Sequence, residues 1–269
     1  MDKDNPSSRR KTALVTGASS GIGCELVKLF ARNGYNLILV ARNEQRLHEL
    51  GSALESKFGI SVKVLAKDLS LPRSSAEIFI EVQRESIRVD VLVNNAGFGN
   101  HGLFSETDLD TELDMLQVNL VSLTHLTKLF LKPMLSRGEG KILNVASTAA
   151  YVPGPMMGVY YATKAYVLSF SESLSEELRG TGVTVTCLCP GPTISDFQKR
   201  ANIGNILLLK SRMMDSKTVA EIGYQALMKN KSIAITGFAN KVLISLSRFS
   251  PRWLIARIIK GLHRDTVKS

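Results

Sequence analysis

The sequence predicts an α/β fold in which a doubly wound parallel sheet of about seven strands carries helices on both faces. Short apolar runs of strand length alternate with amphipathic stretches of helix length along the chain. The alternation continues without a linker, a repeat or a low-complexity tract, and 269 residues with 44% hydrophobic side chains are enough for one buried core. We therefore expect a single domain over residues 1–269, with its core at about 11–237.

The predicted strands occupy residues 12–15, 35–40, 62–65, 89–93, 141–146, 183–188 and 232–236. Helices are expected after the first strand and at 110–131, 160–179 and 217–229. Strands joined by helices pair in parallel, so their carboxyl ends meet at one edge of the sheet. Open parallel sheets bind ligands at that edge, and the polar motifs that follow the strands are the candidate site residues.

A glycine-rich turn, TGASSGIG at residues 16–23, follows the first strand and opens the first helix. Gly17 allows the backbone to reverse, while Gly21 and Gly23 leave room for a pyrophosphate and for the neighbouring strand. The spacing is G-x-x-x-G-x-G rather than G-x-G-x-x-G, and the alternative is an ordinary glycine-rich turn. The strand–turn–helix context favours a Rossmann-type nucleotide site at a helix N-terminus. Its expected binding residues are Gly17, Ser19, Ser20, Gly21, Ile22 and Gly23.

The second strand ends at Arg42, and no Asp or Glu lies between residues 35 and 43. An acidic residue here would bind the ribose hydroxyls of NAD, whereas a guanidinium fits the 2′-phosphate of NADP. The sequence thus predicts NADP(H) in preference to NAD(H). The alternatives are that Arg42 is a solvated surface charge and that Glu44 reaches back towards a ribose. Asp68, after the third strand, is placed to accept the adenine amino group or to cap the following helix.

The fourth strand runs into NNAG at residues 94–97. Asparagine side chains can hold adjacent backbone turns, and glycine admits the close approach of a ribose. Asn95, Ala96 and Gly97 are therefore expected to form the floor of the cofactor site. An ordinary Asn-rich turn is the alternative for this segment taken alone.

Four polar residues are candidates for catalysis, namely Asn119, Ser147, Tyr160 and Lys164. Ser147 follows the fifth strand, and Tyr160 and Lys164 lie one helical turn apart on one face. Because an ammonium beside a phenol favours the phenolate, we expect it to bring the pKa of Tyr160 closer to the range of a general acid/base. Ser147 would hold a carbonyl oxygen, and Asn119 would anchor a water that connects Lys164 to solvent.

Each candidate also has an ordinary structural alternative. Ser147 could cap the strand end, Tyr160 and Lys164 could be a helix-surface pair, and Asn119 could be a polar residue in a packed helix. Tyr161 competes with Tyr160, because it stands three residues before Lys164 and could share that helix face. The spacing does not decide between the two tyrosines.

Together these motifs resemble the short-chain dehydrogenase/reductase family, in the branch with TGxxxGxG, NNAG and YxxxK. The resemblance covers about residues 11–237, and its matching positions are Gly17, Gly21, Gly23, Asp68, Asn94, Ala96, Gly97, Asn119, Ser147, Tyr160 and Lys164. It implies that Tyr160 rather than Tyr161 is the acid/base, and that Lys164 also holds the nicotinamide ribose. It further implies a homodimer or homotetramer built on the helices that carry Asn119 and Tyr160.

The resemblance also places Pro190, Gly191 and Thr193 against the nicotinamide and the main chain of Ile194 at its carboxamide. Residues 193–215 lack a clean period and stand where a substrate lid is expected. Their apolar members include Phe197, Ile206, Leu207, Leu208, Leu209, Met213 and Met214. They predict an apolar carbonyl or alcohol substrate, unless the segment is a core-packing helix pair.

Composition and residue spacing bear on the remaining partners and on location. The four histidines have no metal-ligand spacing, so no metal is expected. The basic charge is the one hint of nucleic acid, and no nucleic-acid motif accompanies it, so no such partner is expected. The sequence lacks an apolar run of membrane-spanning length and a signal peptide, and its three cysteines are expected to be buried thiols. These features predict a cytoplasmic protein, with peripheral membrane contact as an addition.

The net charge of +10 is concentrated at the carboxyl end, where residues 241–269 contain seven Lys or Arg and one acid, a net +6. After Pro251, one helical stripe is apolar and another is basic. The apolar stripe is Leu254, Ile255, Ile258, Ile259 and Leu262, and the basic one is Arg252, Lys260 and Arg264. This tail, residues 240–269, is expected to pack against the body or a subunit partner, with the basic face solvated. The alternative hypothesis is that it docks on an anionic membrane or forms an apolar substrate entrance.

These observations predict an NADP(H)-dependent oxidoreductase that interconverts a ketone and a secondary alcohol, on an apolar acyl- or steroid-like substrate. Three alternatives remain: an NAD-linked hydroxysteroid-type dehydrogenase, a membrane-associated 3-ketoacyl reductase and a non-catalytic nucleotide-binding scaffold. The intact catalytic set argues against the scaffold.

Overall fold

The computed structural model describes residues 9–201, 213–247 and 249–263, without the side chains of residues 199 and 200. The strands are β1 (Thr12–Thr16), β2 (Asn36–Ala41), β3 (Val62–Ala66), β4 (Val91–Asn94), β5 (Gly140–Val145), β6 (Val183–Cys189), β7 (Thr193–Ile194), β8 (Met214–Asp215) and β9 (Ile233–Ile235). Seven of them form a parallel sheet in the order β3-β2-β1-β4-β5-β6-β9. The predicted seven-stranded, Rossmann-type parallel sheet is confirmed.

The helices are α1 (Gly21–Arg32), α2 (Glu44–Phe58), α3 (Ser74–Arg84), α4 (Leu109–Leu116), α5 (Leu123–Arg137), α6 (Gly158–Glu177), α7 (Phe197–Arg200), α8 (Ser216–Met228), α9 (Phe238–Ser247) and α10 (Arg252–Leu262). The helix predicted at 110–131 is α4 and α5, joined by a π-helical segment at Gln117–Ser122. Among the described residues, no helix has the length and apolar character needed to cross a bilayer.

Successive side chains of the strands point to opposite faces of the sheet, and both faces are covered. One face carries α1, α2 and α8 over strand residues Ala13, Val15, Leu37, Leu39, Val91, Val93, Leu143 and Val145. The other carries α3, α5 and the end of α6 over Leu14, Ile38, Val40, Leu92, Ile142 and Val185. This double coverage explains why the strands are continuous apolar runs and not alternating ones.

The chain reverses its direction of winding between β1 and β4, which lie side by side at the centre of the sheet. Ligands of open parallel sheets bind in the crevice beyond the carboxyl ends at such a point. The glycine-rich turn follows β1 and NNAG includes the end of β4, so the two predicted nucleotide motifs flank this crevice.

A short pairing of β7 with β8 was not predicted. It holds together the two ends of the segment expected to be a lid, residues 193–215. Residues 202–212, and with them Ile206, Leu207, Leu208 and Leu209, lie outside the described residues.

The opposite, amino-terminal edge of the sheet is joined by Asp90, whose side chain is 3% exposed. Its carboxylate accepts hydrogen bonds from the Thr12 backbone N–H (2.8 Å), from Arg88 Nε (2.8 Å) and from Arg9 Nη2 (2.7 Å). Arg88 also binds the half-exposed Glu139 beside β5, at 2.6 Å. This network fixes the starts of the strands whose far ends carry the site.

Asp90→Ala and Glu139→Ala form a matched pair, because both acids bind Arg88 and differ in burial. Asp90→Ala should lower the free energy of unfolding by about 3 kcal/mol, since it leaves a buried N–H and two cations without their acceptor. Glu139→Ala should cost under about 1 kcal/mol, because its ion pairs are solvated. Urea denaturation measures both. Equal losses would contradict the role given to Asp90.

Candidate active site

The glycine-rich turn packs too tightly against its neighbours for side chains. Gly17 has a φ of +65°, and a Cβ there would lie 2.7 Å from Asn95 Nδ2 and 3.0 Å from Ala96 Cα. A Cβ on Gly23 would overlap the Gly17 carbonyl oxygen. The first turn of α1 contains no acidic residue, so the positive end of its dipole faces the crevice uncompensated. The turn has the form of an anion site at a helix N-terminus.

Thr16 and Asn95 lock this turn to the NNAG loop. The Thr16 hydroxyl accepts hydrogen bonds from the backbone N–H groups of Asn95 and Ala96, both at 3.0 Å. Asn95 Nδ2 donates to the carbonyls of Thr16 (2.9 Å) and Gly17 (3.3 Å). Thr16 was not predicted as a site residue, although its position between a strand and a glycine turn is a usable signal.

Two arginines line the far end of the crevice, Arg42 directly after β2 and Arg46 in the first turn of α2. Arg42 is mostly exposed, and its Nη1 lies 3.9 Å from Asp68 Oδ2. Arg46, which the sequence argument missed, also lines the crevice. Its Nη1 lies 3.8 Å from Asp196 Oδ2. Glu44 instead lies with its carboxylate 3.7 Å from His48 Nε2 along α2, away from the place where a ribose-binding acid would stand.

Tyr160 and Lys164 lie one turn apart on α6, beside the end of β5. Both side chains are buried and line the same cavity as Ser147. The Ser147 hydroxyl donates to the Pro190 carbonyl at 3.4 Å. Lys164 Nζ donates to the Val145 carbonyl at 2.9 Å and lies 5.7 Å from the centre of the Tyr160 ring. Ser147 Oγ also accepts from the Ala149 N–H at 3.1 Å, so it both caps the following turn and faces Tyr160. These three predicted residues are brought together.

Tyr161 is held elsewhere. His263, fully buried at the end of α10, donates from Nδ1 to the Pro155 carbonyl at 2.7 Å. Its Nε2 is therefore the unprotonated nitrogen, and the Tyr161 hydroxyl donates to it at 3.0 Å. The geometry separates the two tyrosines, because Tyr160 faces Ser147 and Tyr161 faces His263. The sequence argument did not find this role of His263.

Asn119 lies in the π-helical segment, and its side chain is buried behind the crevice. Its Oδ1 accepts from the Phe98 N–H (3.1 Å), and its Nδ2 donates to the Phe98 carbonyl (2.9 Å) and to Thr163 Oγ1 (3.1 Å). A Cβ on Gly97 would lie 2.9 Å from Asn119 Oδ1 and 3.5 Å from Lys164 Nζ. Asn119 thus braces the NNAG loop against α6 close to Lys164.

Burial shifts the pKa values of Tyr160 and Lys164 in opposite directions. It raises the pKa of Tyr160 to about 12, although the hydrogen bond from Ser147 acts in the opposite direction. It lowers the pKa of Lys164 to about 8. The expected lowering of the Tyr160 pKa by Lys164 is therefore not found in the protein alone, because desolvation disfavours the charged form of each group.

Residues that follow β6, which the family resemblance places at the nicotinamide, form another side of the crevice. Thr193 Oγ1 donates to the Gly191 carbonyl at 2.8 Å, and the Gly191 N–H donates to Thr236 Oγ1 at 3.2 Å. Ile194 is exposed. The ring of Phe197, on α7, lies 5.4 Å from the ring of Tyr160. Within the segment expected to be a lid, Phe197 therefore packs against Tyr160.

One cavity of about 600 Å³ connects these parts. The predicted site residues that line it are Gly17, Ser19, Ser20, Gly21, Ile22, Arg42, Asp68, Asn95, Ala96, Gly97, Ser147, Tyr160, Lys164, Pro190, Gly191 and Thr193. Gly23 and Asn119 lie behind its wall. No cluster of potential metal ligands occurs among the described residues.

Comparisons with known proteins agree with this cavity. A family model described as short chain dehydrogenase matches residues 11–205. The very-long-chain 3-oxoacyl-CoA reductase of Phaeosphaeria nodorum is 31% identical over 264 residues, covering 94% of this chain and 76% of the relative.

Two solved structures are similar along most of their length. The short-chain dehydrogenase from Sphingobium yanoikuyae in complex with NADPH has a TM-score of 0.78 at 28% identity, over 96% of this chain and 98% of that one. The bulky-bulky ketone specific alcohol dehydrogenase from Comamonas testosteroni has a TM-score of 0.76 at 28% identity, over 89% and 92% of the two chains.

The matched region contains the glycine-rich turn, the NNAG loop and the group formed by Ser147, Tyr160 and Lys164. The sequence motifs, the sheet order and the family match thus lead to one assignment. The chain belongs to the short-chain dehydrogenase/reductase family and is a NAD(P)-dependent oxidoreductase.

Proposed function

We propose that this enzyme uses NADPH to reduce an apolar ketone to a secondary alcohol. The observation that carries the proposal is the grouping of Ser147, Tyr160 and Lys164 in the same cavity as the glycine-rich turn and Arg42. A carbonyl oxygen placed between the two hydroxyls would receive two hydrogen bonds. Such preorganised donors favour charge that develops on that oxygen.

The residues of the cavity fit a phosphorylated dinucleotide. The backbone of the turn at Gly17 and Gly21, which lines the cavity, together with the α1 N-terminus suits a pyrophosphate. Arg42 and Arg46 provide two guanidinium groups for a 2′-phosphate. Asp68 is available for the adenine amino group.

Further along the cavity, Lys164 would hold the nicotinamide ribose, and Thr193 and the Ile194 main chain would hold the carboxamide. The similar structure from Sphingobium yanoikuyae is described as a complex with NADPH. The NADPH bound to that protein supports the choice of NADP(H) over NAD(H) for the present chain.

When bound, the nicotinamide supplies a hydride to the carbonyl carbon. Tyr160 then gives its hydroxyl proton to the carbonyl oxygen, so that a C–H and an O–H bond form and the alcohol results. Ser147 holds that oxygen throughout. Lys164 returns a proton towards Tyr160, and Asn119 Oδ1, which retains a free lone pair beside Gly97, anchors the water that resupplies Lys164 from solvent.

An apolar, bulky substrate is supported by the side chains around the reacting end of the cavity. Phe98, Met157 and Phe197 line it together with Tyr160. The relatives point the same way, since one is named for a very-long-chain 3-oxoacyl-CoA and one for bulky ketones. The first of these names favours a 3-oxoacyl thioester as the second candidate substrate.

We also propose a homodimer or homotetramer in a reducing, cytoplasmic setting. Large apolar side chains are exposed on α4, on the π-helical segment and on α6, namely Leu109, Leu113, Val121 and Tyr166. They would be covered by a second copy. Three free thiols, Cys24, Cys187 and Cys189, support the reducing setting, although Cys24 is half-buried and not fully buried as expected. Light scattering of the purified chain checks the oligomeric state, and a monomer would refute it.

Tyr160→Phe and Tyr161→Phe distinguish the two adjacent tyrosines. Tyr160→Phe should lower kcat by about 10²- to 10⁴-fold with NADPH binding retained, because it removes the proton donor. Tyr161→Phe should keep most of the activity and lose about 1 kcal/mol of stability, because it removes only the hydrogen bond to His263. Steady-state reduction of a ketone panel, with nucleotide titration as the control, measures both. Full activity in Tyr160→Phe would remove this residue from catalysis.

Arg42→Ala tests the nucleotide preference. The variant should bind NADPH about 10- to 100-fold more weakly, because a charge-assisted contact to the 2′-phosphate is lost. Its affinity for NADH, which has no 2′-phosphate, should change little and serves as the internal control. Fluorescence titration with both nucleotides gives the ratio. An equal loss for NADPH and NADH would contradict the assignment of Arg42.

Lys164→Met tests whether the buried charge of Lys164 lowers the free energy of unfolding. Its pKa falls from 10.5 to about 8 on folding. Below pH 8 both the folded and unfolded states carry the proton, and the wild type bears the full cost of about 3 kcal/mol. Above pH 8 the folded state releases the proton, so the cost shrinks and vanishes near the unfolded value.

Lys164→Met should therefore be more stable than the wild type at pH 7, after a loss of about 1 kcal/mol for the hydrogen bond to Val145. The difference should fall steadily as the pH is raised towards 10. Urea denaturation of both proteins across this range makes the comparison, because titrations elsewhere cancel in the difference. A difference that does not change with pH would show that Lys164 has no lowered pKa.

A further inference from the structure

Helices α9 and α10 expose a set of large apolar side chains that we call the C-terminal apolar face. Its members are Phe238, Val242, Leu243, Leu246, Phe249, Trp253, Leu254 and Ile258. Phe249 is 90% exposed, Phe238 82% and Trp253 64%. Single exposed apolar residues are ordinary, but three aromatic rings and five aliphatic side chains within 21 consecutive residues mark an interaction surface.

The orientation of this face is set by what the same helices bury. On α9, Phe238, Val242 and Leu246 recur at intervals of four and so share one side, while Ile244 on the opposite side is buried. The outward direction of the apolar side is therefore imposed by the packing of Ile244.

The apolar stripe predicted for α10 is divided lengthwise. Its inner members Ile255, Ile259 and Leu262 are partly buried, and Ile259 packs against the cluster that contains Tyr160 and Tyr161. Its outer members Leu254 and Ile258 are exposed beside Trp253. Packing against the body therefore accounts for the three inner members of the stripe and not for the two outer ones.

The charge around this face has a single sign. Five Lys or Arg occur between residues 238 and 263, and no Asp or Glu occurs between residues 222 and 264. Lys241, Arg252, Arg257 and Lys260 are exposed. The Arg257 guanidinium lies 5.6 Å from the Trp253 ring centre. The surface therefore offers cations next to apolar rings, with no acidic residue of its own segment to neutralise them.

This combination distinguishes between the possible occupants. A second copy of the chain that docked by the same face would bring cations against cations, which disfavours an isologous contact. The exposed apolar side chains of α4, the π-helical segment and α6 offer a copy an alternative surface without this charge excess. An anionic lipid surface supplies negative charge and an apolar layer together, and aromatic rings with Lys and Arg are the side chains that settle at its boundary.

We propose that the C-terminal apolar face docks the enzyme on an anionic membrane surface, with Phe238, Phe249 and Trp253 entering the acyl boundary and Lys241, Arg252, Arg257 and Lys260 meeting the headgroups. In this arrangement the enzyme lies on the bilayer surface, and none of the described helices is long and apolar enough to cross it. Apolar insertion and cation attraction both contribute to binding, so it weakens when either is removed.

The docking helices are fixed to the walls of the active site. His263 ends α10 and binds Pro155 and Tyr161, and its carbonyl accepts from His101 Nε2 at 3.0 Å. At α9, a Cβ on Gly191 would overlap Asn240 Nδ2, which donates to the Thr236 carbonyl at 2.8 Å. A docked enzyme therefore holds its substrate cavity close to the bilayer. The inference that an apolar ketone enters from the lipid rests on the proposed function, whereas the docking itself does not.

Trp253 makes the test direct, because it is the only tryptophan of the chain. We would titrate the full-length protein with phosphatidylcholine vesicles, with and without phosphatidylserine, and record tryptophan emission and co-sedimentation. The expected result is a blue shift and sedimentation with phosphatidylserine vesicles, both reduced by high salt. No shift and no sedimentation with either vesicle would overturn the proposal.

A matched set of variants assigns the binding to this face. The double variant Phe238→Ser and Phe249→Ser should lose binding about 10-fold or more, because it removes two inserted rings. The control, Leu71→Ser and Phe104→Ser, removes two exposed apolar residues that lie outside this face and outside the proposed subunit contact, and should bind as the wild type does. Equal losses in both would contradict the proposal.

Two further measurements separate the remaining outcomes. Light scattering without vesicles should give the same oligomeric state for the wild type and the Phe238, Phe249 double variant, and a change to a smaller species would identify the face as a subunit contact and overturn membrane docking. NADPH-dependent reduction of a water-soluble ketone should be equal in both proteins. Absence of that activity in the wild type would refute the proposed function. The vesicle result would still test membrane docking independently.

Discussion

The hydrogen bonds between Thr16 and the NNAG loop are the constraint on which the site depends. β1 and β4 are neighbours at the point where the winding of the sheet reverses, and their carboxyl ends would otherwise separate into two independent loops. The Thr16 hydroxyl and the Asn95 amide join these loops at 2.9–3.0 Å. The joined loops leave no room for a Cβ at Gly17 or Gly23, so both positions require glycine and the turn keeps its shape at the α1 N-terminus.

The rest of the cavity is connected to these hydrogen bonds of Thr16 and Asn95 through further direct contacts. Asn119 binds both backbone groups of Phe98 and also Thr163 on α6, so the loop after β4 is tied to the helix that carries Tyr160 and Lys164. Lys164 is in turn tied to the end of β5 through Val145. The nucleotide end and the reacting end of the cavity are thus parts of one hydrogen-bonded framework, in which the π-helical segment supplies the local shift that points Asn119 inward.

Much of this framework could be predicted from local sequence, because strands that are covered on both faces are continuous apolar runs and because glycine turns and a tyrosine–lysine pair have fixed spacings. The contacts that were missed are distant ones. His263 meets Tyr161 across 102 positions, Arg46 on α2 lies beside Asp196 after β7, and β7 pairs with β8 around a segment without periodicity. The predicted lowering of the Tyr160 pKa was also wrong. The sequence spacing indicates the nearby cation but not the burial of Tyr160, which raises its pKa.

The measurement that tests the central claim most directly follows the hydrogen itself. The protein would be supplied with NADPH deuterated at the transferable position of nicotinamide C4 and with an apolar ketone, and the product would be analysed by mass spectrometry. The account predicts a secondary alcohol that carries one deuterium on the former carbonyl carbon, while the oxygen carries a solvent proton delivered through Tyr160. NADPH that binds in the cavity but transfers no deuterium to any ketone or 3-oxoacyl thioester would contradict the account and leave a nucleotide-binding protein without this chemistry.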